Sequence, residues 1–291
     1  MSITKRGMAI FTLTGGLAIF GMKLAAYFLS GSVALLSDAM ESIVNIIASG
    51  MMLYAVYLSD SPADSSHNYG HQKVENISSL IEGFLIIVAA VMITEKAVIR
   101  LMKPAELLNL NAALAVSLAA TALNGLLSYL LIRTARKFGS IALEGDSKHL
   151  LSDVLSSVAV VAGLFLAKMT GWYFLDSALA IGVALLLVKM GIDLIRRSST
   201  GLMDQSCPEE ESRIIELLKK HDKYFVDFHD IKTRRSGNKV FAELHLTVRG
   251  DKTVEEAHDL TDHLEEDLQK EMPEVSLTIH VEAPLKKKSK K

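Results

Sequence analysis

The chain has 291 residues, half of them hydrophobic, with a mean hydropathy of +0.30 and a formal net charge of −2. That balance excludes an ordinary soluble domain and points to membrane insertion, and the near-neutral charge speaks against nucleic acid or another polyanionic partner. A single cysteine, Cys207, excludes an internal disulfide framework and a cysteine-rich metal site, leaving a lone thiol near a domain junction.

Six apolar segments follow in chain order, at residues 8–29, 33–58, 77–98, 112–132, 149–168 and 173–195. Each is near the roughly 20 residues a helix needs to cross a bilayer. The first follows Lys5 and Arg6 but lacks a small-residue cleavage site, so it reads as a span rather than a cleaved leader. Ser-Gly-Ser joins the first pair and Thr-Gly-Trp-Tyr the last pair, so both pairs are antiparallel hairpins. The loop at 59–73, SDSPADSSHNYGHQK, is longer and polar. With six crossings, Lys5, Arg6, Lys73, Arg133, Arg136, Lys137, Arg196 and Arg197 fall on one side, against Lys96, Arg100, Lys103 and Lys168 on the other. The excess marks the cytosolic side and places both termini there.

The character changes after Gly201. Residues 207–221 read as an amphipathic helix with an acidic start. Residues 225–236 and 239–249 read as strands joined by a Ser-Gly-Asn turn. Residues 253–272 form a second amphipathic helix, with Thr253 as N-cap and Glu256 placed for a capping box. Residues 274–283 alternate as a last strand. The predicted fold is therefore a mainly α integral membrane protein. Six transmembrane helices (1–204) precede a small cytosolic α+β domain of order αββαβ (205–283), with its helices on one sheet face. A basic tail, 284–291, is expected to be disordered and able to touch anionic lipid.

Ionisable groups inside apolar spans are costly, so they point to function. In the second span Asp38, Glu41 and Asn45 are spaced by three and four residues and share one helix face. In the fifth, His149 and Asp153 lie one turn apart. A single intramembrane polar group more often just hydrogen-bonds a neighbouring helix. Glu41, Asn45, His149 and Asp153 together are different: two carboxylates, an amide oxygen and an imidazole match the charge and coordination of one divalent cation. Asp38, one turn from Glu41, is the alternative ligand. Lys148 beside His149 is expected at the cytosolic lip, its stem snorkelling to water. In the polar loop Asp64, His67 and His71 make a compact group of zinc-type ligands. The soluble domain adds His229, His245, His258, His280 and Glu282, of which His280 and Glu282 alternate onto one sheet face.

Six spans, the HLLSD of the fifth, the loop ending GHQK, and a tail containing FHDIKTRRSG, LHL and IHVE together resemble the cation diffusion facilitator family over nearly the whole chain. Within that family it resembles the bacterial ferrous-iron/zinc efflux branch. The resemblance implies a homodimer in the cell inner membrane that exchanges cytosolic divalent metal for protons. It implies a transport site at Glu41, Asn45, His149 and Asp153, a loop site at Asp64, His67 and His71, and a binuclear cytosolic site at His229, His245, His258, His280 and Glu282. It also implies a lysine–aspartate interlock at Lys73 and Asp204. The chain departs from the family where relatives carry Asp-x-x-x-Asp or His-x-x-x-Asp in the second span, since it has Glu41 and Asn45.

The expected activity is export of a divalent transition metal, zinc first, with iron(II), manganese, cadmium or cobalt as alternatives. Imidazole and carboxylate bind either protons or metal, so a proton gradient can drive the exchange. A membrane metal receptor without transport is the second reading. A membrane-embedded metallohydrolase is the third, weakened by the absence of a His-Glu-x-x-His segment and of an extra base beside HLLSD.

Overall fold

The computed structural model describes residues 4–30, 33–102, 111–170 and 174–284. Six long helices come first: α1 (Lys5–Ser30), α2 (Val33–Ser59), α3 (Val74–Met102), α4 (Asn111–Phe138), α5 (Ile141–Thr170) and α6 (Phe174–Leu202). None contains a proline, and all are rich in apolar residues, so each satisfies its own backbone hydrogen bonds as hydrocarbon requires. Among the described residues, α1, α2, α3, α4 and α6 are long and apolar enough to cross a membrane. The protein is thus a multi-pass membrane protein followed by a small α+β domain.

α5 is of comparable length at 30 residues but carries Glu144, Asp146, Lys148, His149 and Asp153 in its first half. The sequence places the fifth span at 149–168; the helix instead begins at Ile141, so His149 sits two turns inside it. The charges that blunt the apolar signal are partnered. Glu144 Oε1 lies 3.0 Å from Lys148 Nζ and 2.5 Å from Arg197 Nη1. Lys148 is therefore held by an ion pair one turn back, which the lip assignment did not foresee.

The chain divides into two compact units, Met1–Ser199 and Thr200–Lys291. In the first, α1 packs on α2 and α4, α5 packs on α4 and α3, and α2 meets both α3 and α5. Helices α2, α3 and α5 thus converge. Buried Met8, Ile19, Met52, Val56, Leu131 and Leu143 fill one core, and Ile86, Ala90, Ala184, Leu187 and Leu194 a second. Without a hydrophobic drive between helices in lipid, small residues let backbones approach. A Cβ on Gly83 would lie 2.7 Å from Ile195 Cγ1 and 3.1 Å from the Gly191 carbonyl oxygen, so glycine lets α3 and α6 approach closely there.

A polar staple ties helix ends together. Glu75 is buried at the start of α3. Its Oε1 accepts from Ser59 Oγ (2.7 Å) and pairs with Lys5, while its Oε2 accepts from Ser140 Oγ (2.5 Å). It joins the start of α1, the end of α2 and the start of α5. Removing one partner of a buried ion pair leaves the rest uncompensated and costs about 3 kcal/mol or more. Glu75→Ala should lower thermal stability in detergent by that order. A loss below about 1 kcal/mol would show the staple to be solvated.

The second unit holds α7 (Pro208–Lys220), β1 (Asp227–Ser236), β2 (Lys239–Thr247), α8 (Val254–Glu271) and β3 (Val275–Glu282). α7 opens with proline at its first turn, where a missing N–H costs nothing. α8 opens with the Thr253/Glu256 capping box read from the sequence. The backbone bond to Thr253 holds the Glu256 carboxyl below its usual range. Gly237 supplies the positive φ of the β1–β2 turn. The sheet has the order β1-β2-β3, antiparallel between β1 and β2 and parallel between β2 and β3. Val240, Ala242, Leu244 and Leu246 of β2 bury one face against Ile214, Leu217 and Leu218 of α7 and Leu260, Leu264 and Leu268 of α8. The alternate residues of β2, His245 among them, therefore face away from the helices. Cys207 is buried against this core, and burial pushes its thiol pKa up, as suits an inert structural cysteine.

Candidate metal centres

Three helices build the intramembrane cluster. Asn45 and Ser49 lie one turn apart on α2, and Asp146, His149 and Asp153 make a stripe on α5 at spacings of three and four. Asn45 bridges the stripe. Its Nδ2 donates to Asp153 Oδ2 at 2.6 Å, and its Oδ1 faces His149 Nε2 at 3.0 Å. One turn away, Ser49 Oγ reaches both oxygens of the fully buried Asp146, at 3.0 and 3.2 Å.

α3 adds a third carboxylate, Glu82, only 1% exposed and close enough to Asp146 and Asp153 to feel both charges. Gly145 makes room for it: a Cβ there would lie 2.8 Å from Ser79 Oγ and 3.2 Å from Glu82 Cγ. Glu82 Oε2 is buried and has no hydrogen-bond partner among the described residues. Two buried carboxylates and the half-buried Asp153 beside one imidazole favour the presence of cations, whether protons or metal. The side chains of Asp38 and Glu41 lie outside the described residues; both positions belong to α2.

Sequence reasoning missed Glu82, Asp146 and Ser49. Asp146 fell outside the assigned fifth span. Glu82 was inside the third span, and a lone intramembrane carboxylate was the available signal.

In the loop after α2 the chain folds back on Asp64. Its Oδ1 accepts the backbone N–H of Ser66 (2.8 Å) and of His67 (2.7 Å), an Asx turn, and a second turn follows in which Gly70, with a φ of 83°, donates its N–H to the His67 carbonyl. Asp64 Oδ1 then lies 3.4 Å from His67 Nδ1 and Oδ2 lies 3.3 Å from His71 Nε2. One ligand atom from each residue falls within 4.8 Å of the others, the compactness a single ion needs. The His67 N–H bond holds the Asp64 carboxyl below its usual range. What that bond contributes to the loop is therefore present above the unfolded carboxylate pKa and fades as pH falls through the lowered one.

On the sheet, register does the assembly. His229 pairs with His245 across β1–β2, and His245 pairs with His280 across β2–β3. The three imidazoles form a row on the face turned away from the helices, with ring centroids 5.4 and 4.8 Å apart. Glu282 serves two of them: Oε1 is 3.2 Å from His229 Nε2 and Oε2 is 3.7 Å from His245 Nδ1. Each oxygen thus faces a different imidazole, the disposition of a bridging carboxylate.

A bulge between His229 and Lys232 turns Asp230 (φ 51°) toward this row, with its Oδ2 3.8 Å from His245 Nε2. The bond from Lys232 lowers the Asp230 carboxyl pKa, so it stays charged there. Asp230 was not foreseen; a bulge leaves no periodic trace. His258 is not brought into the row within the chain. It stands on the outer side of α8, exposed, 3.5 Å from Asp262. Lys73 belongs to the first unit and Asp204 to the second, where Asp204 pairs with Arg234 at 3.9 Å.

Residues 9–203 match the family model described as the cation efflux transmembrane domain, and residues 207–284 match the one described as the cation efflux protein cytoplasmic domain. An uncharacterized transporter of Synechocystis, sll1263, is 39% identical over 95% of this chain and 90% of its own length. The cation-efflux pump FieF of Shewanella oneidensis is 31% identical over 84% of this chain and 83% of its own. Among solved structures, CzrB in its Zn form is 45% identical over 29% of this chain and 98% of that one, with a TM-score of 0.27.

Proposed function

The chain belongs to the cation diffusion facilitator family, a family of transporters rather than enzymes, and from that premise we propose that it exports a divalent transition metal from the cytosol in exchange for protons. The observation that carries the reading is the Asn45–His149–Asp153 cluster inside the helical bundle. When His149 Nε2 carries a proton, that proton points at Asn45 Oδ1. A metal ion takes the same lone pair only after the proton leaves. Asp153 Oδ2 likewise trades an amide hydrogen bond for a coordinate bond. At His149 Nε2 proton and metal thus compete for the same lone pair, which is what an exchanger requires.

The donor set is nitrogen and oxygen without thiolate. That suits zinc, iron(II), manganese, cadmium or cobalt better than copper(I), and zinc ranks first at a fixed site of this kind. The proposal includes Glu41 as a further ligand from α2, a homodimer in the cell inner membrane, and both termini in the cytosol. The loop cluster and the sheet row are accessory metal sites. The Lys73–Asp204 interlock implied by the resemblance also belongs to it. Single and double charge reversals of Lys73 and Asp204 should show a coupling in dimer stability, and purely additive effects would remove the pair.

The decisive experiment uses purified protein in sealed liposomes with a metal-sensitive dye inside. Acidifying the lumen relative to the outside should accelerate zinc uptake. Uptake no faster than in protein-free liposomes, with or without the gradient, would favour a receptor that binds metal without moving it. The sheet row separates regulation from transport. Replacing His245 and His280 together with alanine should reduce the metal bound per chain and slow flux without eliminating it. Unchanged metal binding in that double variant would remove the sheet row as a metal site.

A further inference from the structure

The second unit carries another cluster, on its helical layer rather than on the sheet face. His221 stands at the C-terminal end of α7, and His263 and Asp267 lie one turn apart on α8. We propose that these three residues form a separate site for a divalent transition-metal ion of the zinc or cobalt type, held by two imidazole nitrogens and one carboxylate oxygen.

The geometry converges on one oxygen. Asp267 Oδ2 lies 3.3 Å from His221 Nε2 and 3.7 Å from His263 Nε2, and one ligand atom from each residue falls within 4.8 Å of the others. The two rings meet nearly edge to face, 75° apart with centroids at 5.3 Å, and each turns its Nε2 toward Asp267.

The tautomer of His221 is fixed. Its Nδ1 lies 3.0 Å from the Leu217 carbonyl oxygen, which can only accept, so Nδ1 carries a proton. In the neutral ring Nε2 then presents a lone pair to a carboxylate oxygen, two acceptors face to face, and a cation between them resolves the conflict. A backbone carbonyl orienting the remote nitrogen is also the usual support for a metal-bound histidine. Lys270 occupies the other oxygen of Asp267 at 2.9 Å and leaves Oδ2 for the ion. Three protein ligands leave one tetrahedral position for water. Tyr224 walls one side, its ring 6.3 and 6.4 Å from the two imidazoles. His263 is half exposed, which gives an ion access from solvent.

Because α7 and α8 pack on the sheet face opposite the His229–His245–His280 row, the two clusters bind independently. An ion here would tie the last turn of α7 to α8. The proposal does not rest on the transport reading.

The test uses the full-length protein in detergent, loaded with cobalt(II) and passed through gel filtration. Metal per chain is counted by mass spectrometry and the cobalt absorption recorded. His263→Gln and Asp267→Asn, both at partly exposed helix positions, should each lose one ion per chain while keeping the parent's circular dichroism. The His245→Ala/His280→Ala protein should keep that ion, and adding His263→Gln to it should remove it. Parent stoichiometry and spectrum in both single variants would overturn the site and leave a histidinium–carboxylate pair in its place.

Discussion

Asp153→Ala is expected to abolish metal flux through reconstituted protein while leaving the fold largely intact. Asp153 is the negatively charged member of the Asn45–His149–Asp153 cluster, and its Oδ2 makes a 2.6 Å bond to Asn45 from a neighbouring helix. Removing a fully buried charged partner costs about 2–5 kcal/mol of binding, and every 1.4 kcal/mol is tenfold; at the half-buried Asp153 metal affinity should fall by about tenfold or more. The structural loss is smaller. One amide donor is left unpaired, a cost of about 1–3 kcal/mol against a bundle also held by the Glu75 staple and the Gly83–Gly191 contact. Asp153→Asn sharpens the result, because it keeps the volume and a hydrogen-bonding carbonyl but removes the charge. Flux should be lost in both variants, with gel-filtration profiles and melting temperatures near the parent's. Parent-like flux in either well-folded variant would remove Asp153 from the transport site.

Much of this organisation is legible in the sequence because it is local. The apolar spans are unbroken stretches of sequence, and the Thr253–Glu256 cap and the alternation of β2 are set by residues within a turn or two of one another. The one-turn spacing of His149 and Asp153 is legible for the same reason. Periodicity says which residues share a face of one helix, but not which helices are neighbours. That is why Ser49 facing Asp146, and Glu82 reaching in from α3 past Gly145, could not be read in advance.

Burial hides signal too. Asp146 and Glu144 interrupt the apolar run at the start of α5, so the run was assigned a later start, although in the fold these charges are satisfied by Ser49, Lys148 and Arg197. In the second unit, strand pairing aligns His229, His245 and His280. The pairing follows from register, which one strand's sequence does not contain. His221 is further still from a sequence signal. It caps the end of α7, and only packing brings it beside the His263–Asp267 turn of α8.

Asn45 is where the chain departs from the pattern it resembles, and changing it should change which metal moves. Its Nδ2 stands 2.6 Å from Asp153 Oδ2 and its Oδ1 3.0 Å from His149 Nε2, so it organises both ligands with a neutral group. Asn45→Asp would put an oxygen in place of that amide nitrogen. Two carboxylate oxygens so close cannot both stay charged unless a proton or a metal ion lies between them. The variant should therefore bind metal about tenfold tighter or more and release it more slowly, with KM and kcat both falling. Asn45→His would instead pair a second imidazole with His149 and replace a hard carbonyl oxygen by a borderline nitrogen. That favours zinc and cadmium over iron(II) and manganese, which prefer oxygen donors. The parent site, with one imidazole among oxygen donors, should let iron(II) and manganese compete better than the histidine variant does. Competitive uptake of zinc, iron(II), manganese and cadmium through the parent and both variants reads the ranking directly. If the order is the same in all three proteins, Asn45 does not set selectivity. The ligand from α2 is then better sought at Asp38, where a shifted register would present a carboxylate in its stead.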